Sequence, residues 1–360
     1  MAGRGARIAA IGMLLGGGLL VGLLLAEVLV RLVAPQPLYR YPRGLFVDDA
    51  AAGYRLTPGF QGTMRTIEYT VPLAINGAGL REDREVGPKA NGLRRVLIVG
   101  DSFAMGHSVR SEDTFEHRLE RAINASSTQP VVEVLNAGVP GYSTRDELAW
   151  MTAYGAALDP DLVVLAFFVG NDVADNAKSD RRLRVVDGFL SDGEPVAGLL
   201  PIGLRSVLAR TSHLYALAWP IQRRLRGGGD ADRIAPLAIY QATAEDGPMW
   251  GPTRDLVTDF VRAVRGRGTA VAVAIFPELI QVEPGRWERV AGTRTDLDRL
   301  APNRRVARLT AELGVPTIDV EPALSAAAGR EPLYFEVDHH WTVAGNRVAA
   351  EALRPLMEAR

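Results

Sequence analysis

Four short segments, widely separated in the chain, hold side chains and backbone groups that suit acyl chemistry. They are Gly100–Asp101–Ser102, Gly138 within Asn136–Ala137–Gly138, Gly170–Asn171–Asp172, and Asp338–His339–His340–Trp341. A serine hydroxyl is a weak nucleophile until a base removes its proton, and imidazole is the usual base. A carboxylate on the far ring nitrogen fixes the tautomer and stabilises the imidazolium that forms. The negative charge that develops on a carbonyl oxygen needs fixed N–H donors. The four segments contain one candidate for each role: Ser102 as nucleophile, a histidine of the 339–340 pair as base, and Asp338 as its partner. The Ser102 and Gly138 backbone amides and the Asn171 side-chain amide are the candidate oxyanion donors.

Taken singly, each segment has an ordinary reading. Ser102 could be a helix N-cap, Gly138 a loop glycine and Asn171 a turn residue. Their placement argues otherwise, because each follows an apolar run with the character of a buried strand. Val96–Val99 ends at Gly100, Val131–Leu135 leads to Gly138, and Leu162–Phe168 leads to Asn171. Two further runs, Ala270–Phe276 and Thr317–Val320, complete a set of five. Between the runs the spacing predicts helices: one carrying Phe115, Leu119 and Ile123, opened by Asp113 with Glu116 three residues on; one over 144–157; one near 254–265; and one carrying Val306, Leu309 and Leu313. A last helix is expected after Gly345. Strands that are apolar throughout and alternate with helices predict an α/β fold, a parallel sheet covered on both faces. In such sheets ligands bind at the carboxyl ends of the strands, where the first three segments lie.

The chain has five histidines, His107, His117, His213, His339 and His340. His117 is expected on a polar, solvent-facing helix surface, and His213 falls in a region outside the strand–helix alternation. His107, five residues along a helix from Ser102, is expected on a different side from it. The 339–340 pair remains. A metal held by Asp338, His339 and His340 lacks any further histidine cluster in support. Ser102 does not sit in a Gly-x-Ser-x-Gly elbow, and neither Gly100 nor Gly106 is followed by Lys-Ser/Thr, which excludes a P-loop.

The amino terminus has a different character. Ile8–Ala26 is unbroken apolar sequence preceded by Arg4 and Arg7, and about 19 helical residues reach roughly 28 Å, close to the hydrocarbon thickness of a bilayer. A cleaved signal peptide would have a shorter apolar region ending in an Ala-x-Ala-like site. Here Glu27 and Arg31 follow, so residues 1–35 are expected to form an uncleaved transmembrane helix. Arg4 and Arg7 favour a cytoplasmic amino end, against which Arg31, Arg40 and Arg43 pull. Residues 36–92, with possible strands at Tyr54–Thr57 and Tyr69–Ile75, read as a lead-in that packs on a main domain at 93–360. That domain is interrupted by an insertion at about 177–249 with a helix near 204–217 and a Gly227–Gly229 hinge. Arg205, Arg210, Arg223, Arg224 and Arg226 make the insertion basic: a solvated helix face, or a contact for lipid headgroups or an acidic glycan.

The 360 residues are 47% hydrophobic and 23% charged, with a net charge of −1 and no cysteine. This balance offers nothing to a nucleic-acid backbone, and it excludes disulfides and cysteine-ligated metals.

The four segments together resemble the SGNH (GDSL-type) hydrolase superfamily. Ser102, Gly138, Asn171 and His340 match the residues of its name, in Val96–Leu-Ile-Val-Gly-Asp-Ser-Phe103, Leu135–Asn-Ala-Gly-Val-Pro-Gly-Tyr142, Val169–Gly-Asn-Asp172 and Asp338–His-His-Trp-Thr-Val-Ala-Gly345. The last alignment selects His340 over His339. Many members place the acid three residues before the histidine. Val337 stands there in this chain and Asp338 lies two before, a spacing similar to membrane-associated or periplasmic members such as alginate O-acetyltransferase-like proteins. The resemblance implies a flavodoxin-like three-layer α/β/α sandwich with a five-stranded parallel sheet, and neither metal nor cofactor. It also implies a bacterial membrane location with the catalytic domain outside the cytoplasm.

The expected activity is hydrolysis of an ester on a cell-envelope carbohydrate or lipid. Passage of the acyl group to a glycan hydroxyl is the alternative, and a non-catalytic glycan-binding module the third. Acyl group, acceptor and oligomeric state are not written in the sequence.

Overall fold

In a computed structural model, described for residues 3–36, 38, 41–125, 127–178, 183–191, 202–218, 237–242 and 247–358, the chain divides into two compact units. Residues 1–40 with 195–229 form the first, and residues 41–194 with 230–360 the second. The Gly227–Gly229 hinge and the arginines at 40, 223, 224 and 226 lie outside the described residues.

The first unit contains helix α1, Gly3–Val33, with a 25-residue stretch, Ala9–Val33, long and apolar enough to cross a membrane. It also contains α6, Ile202–Thr211, from the insertion.

The second unit begins with two antiparallel hairpins, β1 (Phe46–Asp49) with β2 (Gly53–Leu56) and β3 (Gln61–Arg65) with β4 (Thr70–Ala74). The main domain follows as β5 (Arg94–Gly100), α2 (Ser102–Met105), α3 (Phe115–Asn124), β6 (Val132–Gly138), α4 (Thr144–Ala153), β7 (Leu162–Phe168) and α5 (Asp172–Asn176). A small hairpin, β8 (Arg184–Val186) with β9 (Phe189–Ser191), occupies the start of the expected insertion. Then come α7 (Trp250–Arg265), β10 (Ala270–Phe276), α8 (Leu279–Val282), α9 (Arg286–Ala291), α10 (Ala301–Glu312), β11 (Thr317–Asp319), α11 (Glu321–Ala327) and α12 (Val343–Glu358).

All five expected strands pair in one parallel sheet of order β11-β10-β7-β5-β6. Counted among themselves along the chain they run 2-1-3-4-5, the flavodoxin-like arrangement, in which the connections change direction between the first and third strands. That switch point lies between β5 and β7, which deliver Ser102 and Asn171. The strands are apolar throughout because helices cover both faces. On one face α3 packs against α12, and on the other α4 packs against α7. Val96, Ile98, Val134, Val164, Ala274 and Trp341 lie within the buried cluster that holds the first face together.

Three helix boundaries differ from expectation. Asp113 does not open α3: residues 111–113 form a separate 3-10 turn, Thr114 is the cap position, and Glu116 is buried. The helix expected over 144–157 gives way after Ala153 to a 3-10 turn at Gly155–Leu158. Gly155 is tight against Met151, whose sulfur would lie 2.3 Å from an added Cβ. The last helix starts at Val343, before Gly345 rather than after it.

Candidate active site

Ser102 is the first residue of α2, two residues past the end of β5. Asp101 caps the turn, its Oδ1 accepting from the Phe103 N–H at 2.8 Å. The helix lasts four residues, because Gly106 takes a left-handed conformation (φ 59°) and turns the chain back. The Ser102 N–H has no intrahelical partner, as expected for the first residue of a helix.

His340 lies opposite. Ser102 Oγ is 2.7 Å from His340 Nε2, and His340 Nδ1 is 2.8 Å from Asp338 Oδ1. The chain reaches this arrangement through a tight turn in which His339 adopts φ 63°, its N–H donating to the Phe335 carbonyl at 3.1 Å and Phe335 N–H to the His340 carbonyl at 2.8 Å. His339 is exposed; it supplies the left-handed backbone and points away from the site, while His340 enters it. The next residue, Trp341, is buried edge-on to Phe103 and anchors the turn to the core. The His340 ring stacks on Phe103, with centroids 4.6 Å apart. Rotamer freedom at His340 is thereby small, which suits a base that must stay aimed at one hydroxyl.

Asp338 is buried, and burial alone would raise its pKa. Hydrogen bonding to His107 and His340 outweighs burial and holds the carboxyl well below the usual carboxylate range. Three groups outside the expected set contact it, and a fourth holds the loop beside it. Tyr69 donates its phenolic O–H to Asp338 Oδ2. Glu68 accepts from the Val337 and Asp338 N–H groups at 3.0 and 2.8 Å, fixing the start of the turn. His107 lies 3.6 Å from Asp338 Oδ2 through Nε2, and its ring centroid is 4.1 Å from that of His340. Arg81, fully buried, donates to the carbonyls of Met105, Gly106 and Val109, the loop that carries His107.

His107 is therefore a correction. Counting along a continuing helix places it away from Ser102, but α2 ends at Met105 and the left-handed Gly106 folds His107 against His340. His117 also differs: it is half-buried with Nε2 3.2 Å from the Glu82 carboxylate, rather than facing solvent. The sequence signal for Tyr69 and Glu68 is their presence in the Gly/Pro-rich lead-in, and Arg81 closes its segment Ile75–Asn-Gly-Ala-Gly-Leu-Arg81. Burial lowers the Arg81 pKa to about 10, still far above neutrality, so its charge persists among the carbonyls it binds. Arg81→Ala should leave those carbonyls without their donor and cost about 3 kcal/mol or more. A thermal melt measures that loss.

The expected donors are placed differently from one another. The Asn171 Nδ2 donates to the Tyr142 carbonyl at 3.0 Å, which orients the amide and leaves its second hydrogen. The Gly138 N–H donates to Asn136 Oδ1 at 3.0 Å. Close packing also requires glycine here: a Cβ would lie 2.1 Å from the Met105 backbone nitrogen, inside α2. Three residues on, Gly141 adopts φ 79°. Its N–H makes no hydrogen bond among the described residues, and the neighbouring Tyr142 carbonyl is the one that Asn171 holds.

Behind the nucleophile lie three buried carboxyl groups, Asp101, Glu147 and Asp172. Burial pushes Asp101 up to about 7 and pushes Glu147 and Asp172 well above the carboxylate range, with mutual repulsion adding to it. Their folded pKa values exceed the unfolded ones, so the folded chain binds more protons. Their contribution to stability is complete below the unfolded carboxylate pKa and declines as pH rises through the folded values.

His107, Asp338 and His340 offer nitrogen and oxygen ligands within 4.8 Å of one another. Of this group, His340 Nε2 faces Ser102 Oγ and Asp338 Oδ2 receives the Tyr69 O–H.

Residues 240–360 match the family described as SGNH hydrolase-like domain, acetyltransferase AlgX. Among solved structures, the chain is similar to a lipase/acylhydrolase from Enterococcus faecalis at 16% identity, covering 74% of this chain and 96% of that one, with a TM-score of 0.42. It is also similar to a catalytic mutant of Axe2, an acetylxylan esterase from Geobacillus stearothermophilus, at 13% identity, covering 76% and 98%, with a TM-score of 0.44. No curated protein matches the chain. The family match includes Asp338–His339–His340–Trp341, the segment whose spacing departs from the commoner superfamily form.

Proposed function

Starting from the SGNH hydrolase-like domain matched by residues 240–360, we propose that the protein cleaves ester bonds through an acyl-serine intermediate. Ser102 acts as nucleophile, His340 as base and Asp338 as its orienting acid. The observation that carries this is the continuous relay from Ser102 Oγ to His340 Nε2 at 2.7 Å and from His340 Nδ1 to Asp338 Oδ1 at 2.8 Å. Distances of this size put a base within reach of the proton it must remove.

In the first half-reaction His340 Nε2 takes the Ser102 proton as Oγ bonds to the ester carbonyl carbon. The carbonyl oxygen becomes an oxyanion. Collapse expels the alcohol, which receives the proton from His340, and leaves the acyl group on Ser102. In the second half-reaction His340 removes a proton from the acceptor hydroxyl, which attacks the acyl carbon and frees Ser102. Donors with hydrogens to offer the oxyanion are the Ser102 N–H, the Gly141 N–H and the second Asn171 amide hydrogen. Removal of one such donor commonly costs about 10²–10³ in rate. Tyr69 and His107 occupy the outer oxygen of Asp338 and hold the carboxylate in place.

With water as acceptor the reaction is ester hydrolysis, the reading adopted here. The match to a family described as an acetyltransferase favours a second acceptor, a glycan hydroxyl, and the same residues serve both. Fluorophosphonate labelling tests the mechanism: the adduct is expected on Ser102, located by mass spectrometry, and no adduct on a folded chain would overturn it. Ester turnover with and without an added oligosaccharide separates the acceptors, since transfer predicts a rate that rises with the glycan.

A further inference from the structure

The insertion has no part in the chemistry above, yet it is joined to the amino-terminal helix in an ordered way. Glu27 follows the unbroken apolar stretch Ile8–Ala26 of α1. Its carboxylate accepts from Ser212 Oγ at 2.7 Å and from the His213 and Leu214 N–H groups at 2.9 Å each. It thereby caps the amino end of the helical segment at residues 213–218. Arg31, one turn on, bonds Glu27 at 2.7 Å and donates to the Thr211 carbonyl at 2.6 Å, the carboxyl end of α6. A negative group thus meets a helix amino terminus and a positive group a helix carboxyl terminus, both favourable for the helix dipoles. The Gln36 N–H donates to His213 Nδ1 at 2.8 Å and closes the junction. Ala26, Glu27 and Val30 form the half-buried face of α1, while Leu14, Leu19 and Leu25 are wide open.

Glu27 lies about 27 Å along the helix from Ala9 at about 1.5 Å per residue, the far edge of a hydrocarbon layer roughly 30 Å thick. The junction therefore falls at the headgroup boundary if α1 spans the bilayer. The insertion presents apolar side chains there: Leu204 and Val207, one turn apart on α6, and Leu217 are 45%, 54% and 36% exposed. Arg210, exposed on the same helix, carries a charge suited to anionic headgroups. Such a surface would be costly in water, whereas the interface of a bilayer takes both its apolar and its cationic parts.

We infer that residues 202–218 form an interfacial foot, clamped to the carboxyl end of α1 by Glu27 and Arg31 and seated in the headgroup–acyl boundary of a phospholipid bilayer. The inference rests on reading α1 as a retained membrane span. It also supplies a reason for retention, since cleavage beyond Glu27 would remove the cap from the 213–218 segment.

The chain lacks cysteine, so single cysteines can carry an environment-sensitive fluorophore in the full-length protein. Leu20→Cys probes α1, Val207→Cys probes α6, and Asp259→Cys, half-exposed on α7, reports water. In vesicles of phosphatidylcholine and phosphatidylglycerol containing lipids with a shallow or a deep acyl-chain nitroxide, the probe at 207 (by the shallow one) and the probe at 20 (by the deep one) should each be quenched several-fold more than the probe at 259. Adding Glu27→Ala should bring the 207 signal toward that of 259. Quenching at 20 with a 207 signal equal to that at 259 would overturn the foot while leaving the span intact. Absence of quenching at 20 would overturn the span, and the foot with it.

Discussion

Ser102→Ala is expected to lower ester turnover by on the order of 10⁶, the scale seen when a triad nucleophile is removed elsewhere, without loss of fold. The physical reason is that the hydroxyl aimed at the base is removed: Ser102 Oγ is 2.7 Å from His340 Nε2. Ser108, the next serine, donates its hydroxyl to the Trp341 carbonyl. The fold should survive because Asp101, not Ser102, provides the side-chain cap of α2. The Ser102 backbone N–H also remains in the variant. Measured kcat on a chromogenic acyl ester, together with an unchanged melting temperature, would check both halves. A kcat within tenfold of the parent would refute the assignment of Ser102 as nucleophile. Loss of the melting transition would instead make the variant uninformative about chemistry, and the fluorophosphonate adduct would then carry the decision.

The sheet was legible because buried parallel strands leave a direct mark: five apolar runs, each close to a strand observed, with β7 and β10 matching their runs residue for residue. Ser102 and Asn171 follow from that mark, since strand ends at a switch point converge whatever the loops do; His340 lies in the turn between α11 and α12, and it is the resemblance of the last segment that singles it out. The errors arise where a local rule was extended past its range. His107 was placed by assuming that a helix begun at Ser102 continues, and a single left-handed glycine at 106 makes that false. Gly138 is a different case: glycine permits close approach, and α2 comes close there, with the N–H donating to Asn136 Oδ1. Tyr69, Glu68 and Arg81 reach the site from a segment that precedes the sheet. Their contacts join residues more than 20 positions apart in the case of Arg81 and 269 in the case of Tyr69, and no periodicity in a sequence encodes such a pairing.

Asp338→Asn should lower turnover by about 10⁴, the cost of presenting an amide where the base requires a carboxylate. An amide can offer His340 Nδ1 a donor as readily as an acceptor. It then favours the tautomer with the proton on Nε2, which cannot take the Ser102 proton. It also removes the charge that stabilises the imidazolium. In this protein the substitution carries a second, separable signature. The Asp338 carboxyl is held well below the usual carboxylate range, with hydrogen bonding to His107 and His340 overcoming the effect of burial. Its folded pKa is thus lower than its unfolded one, so its contribution to stability is present above the unfolded value, about 4, and is lost as pH falls through the folded value. Asp338→Asn should therefore reduce the melting temperature at neutral pH and flatten the decline of stability on acidification, because the group that gains a proton on unfolding in acid is gone. Tyr69→Phe provides the contrast. It removes one donor to Asp338 Oδ2 but leaves the charge and the bond to His340, so turnover should fall far less than in Asp338→Asn and the acid dependence of stability should persist. If the two variants were equally inactive, with identical melting curves at pH 4 and pH 7, Asp338 would be a buried structural acid and the orienting role would have to pass to another group.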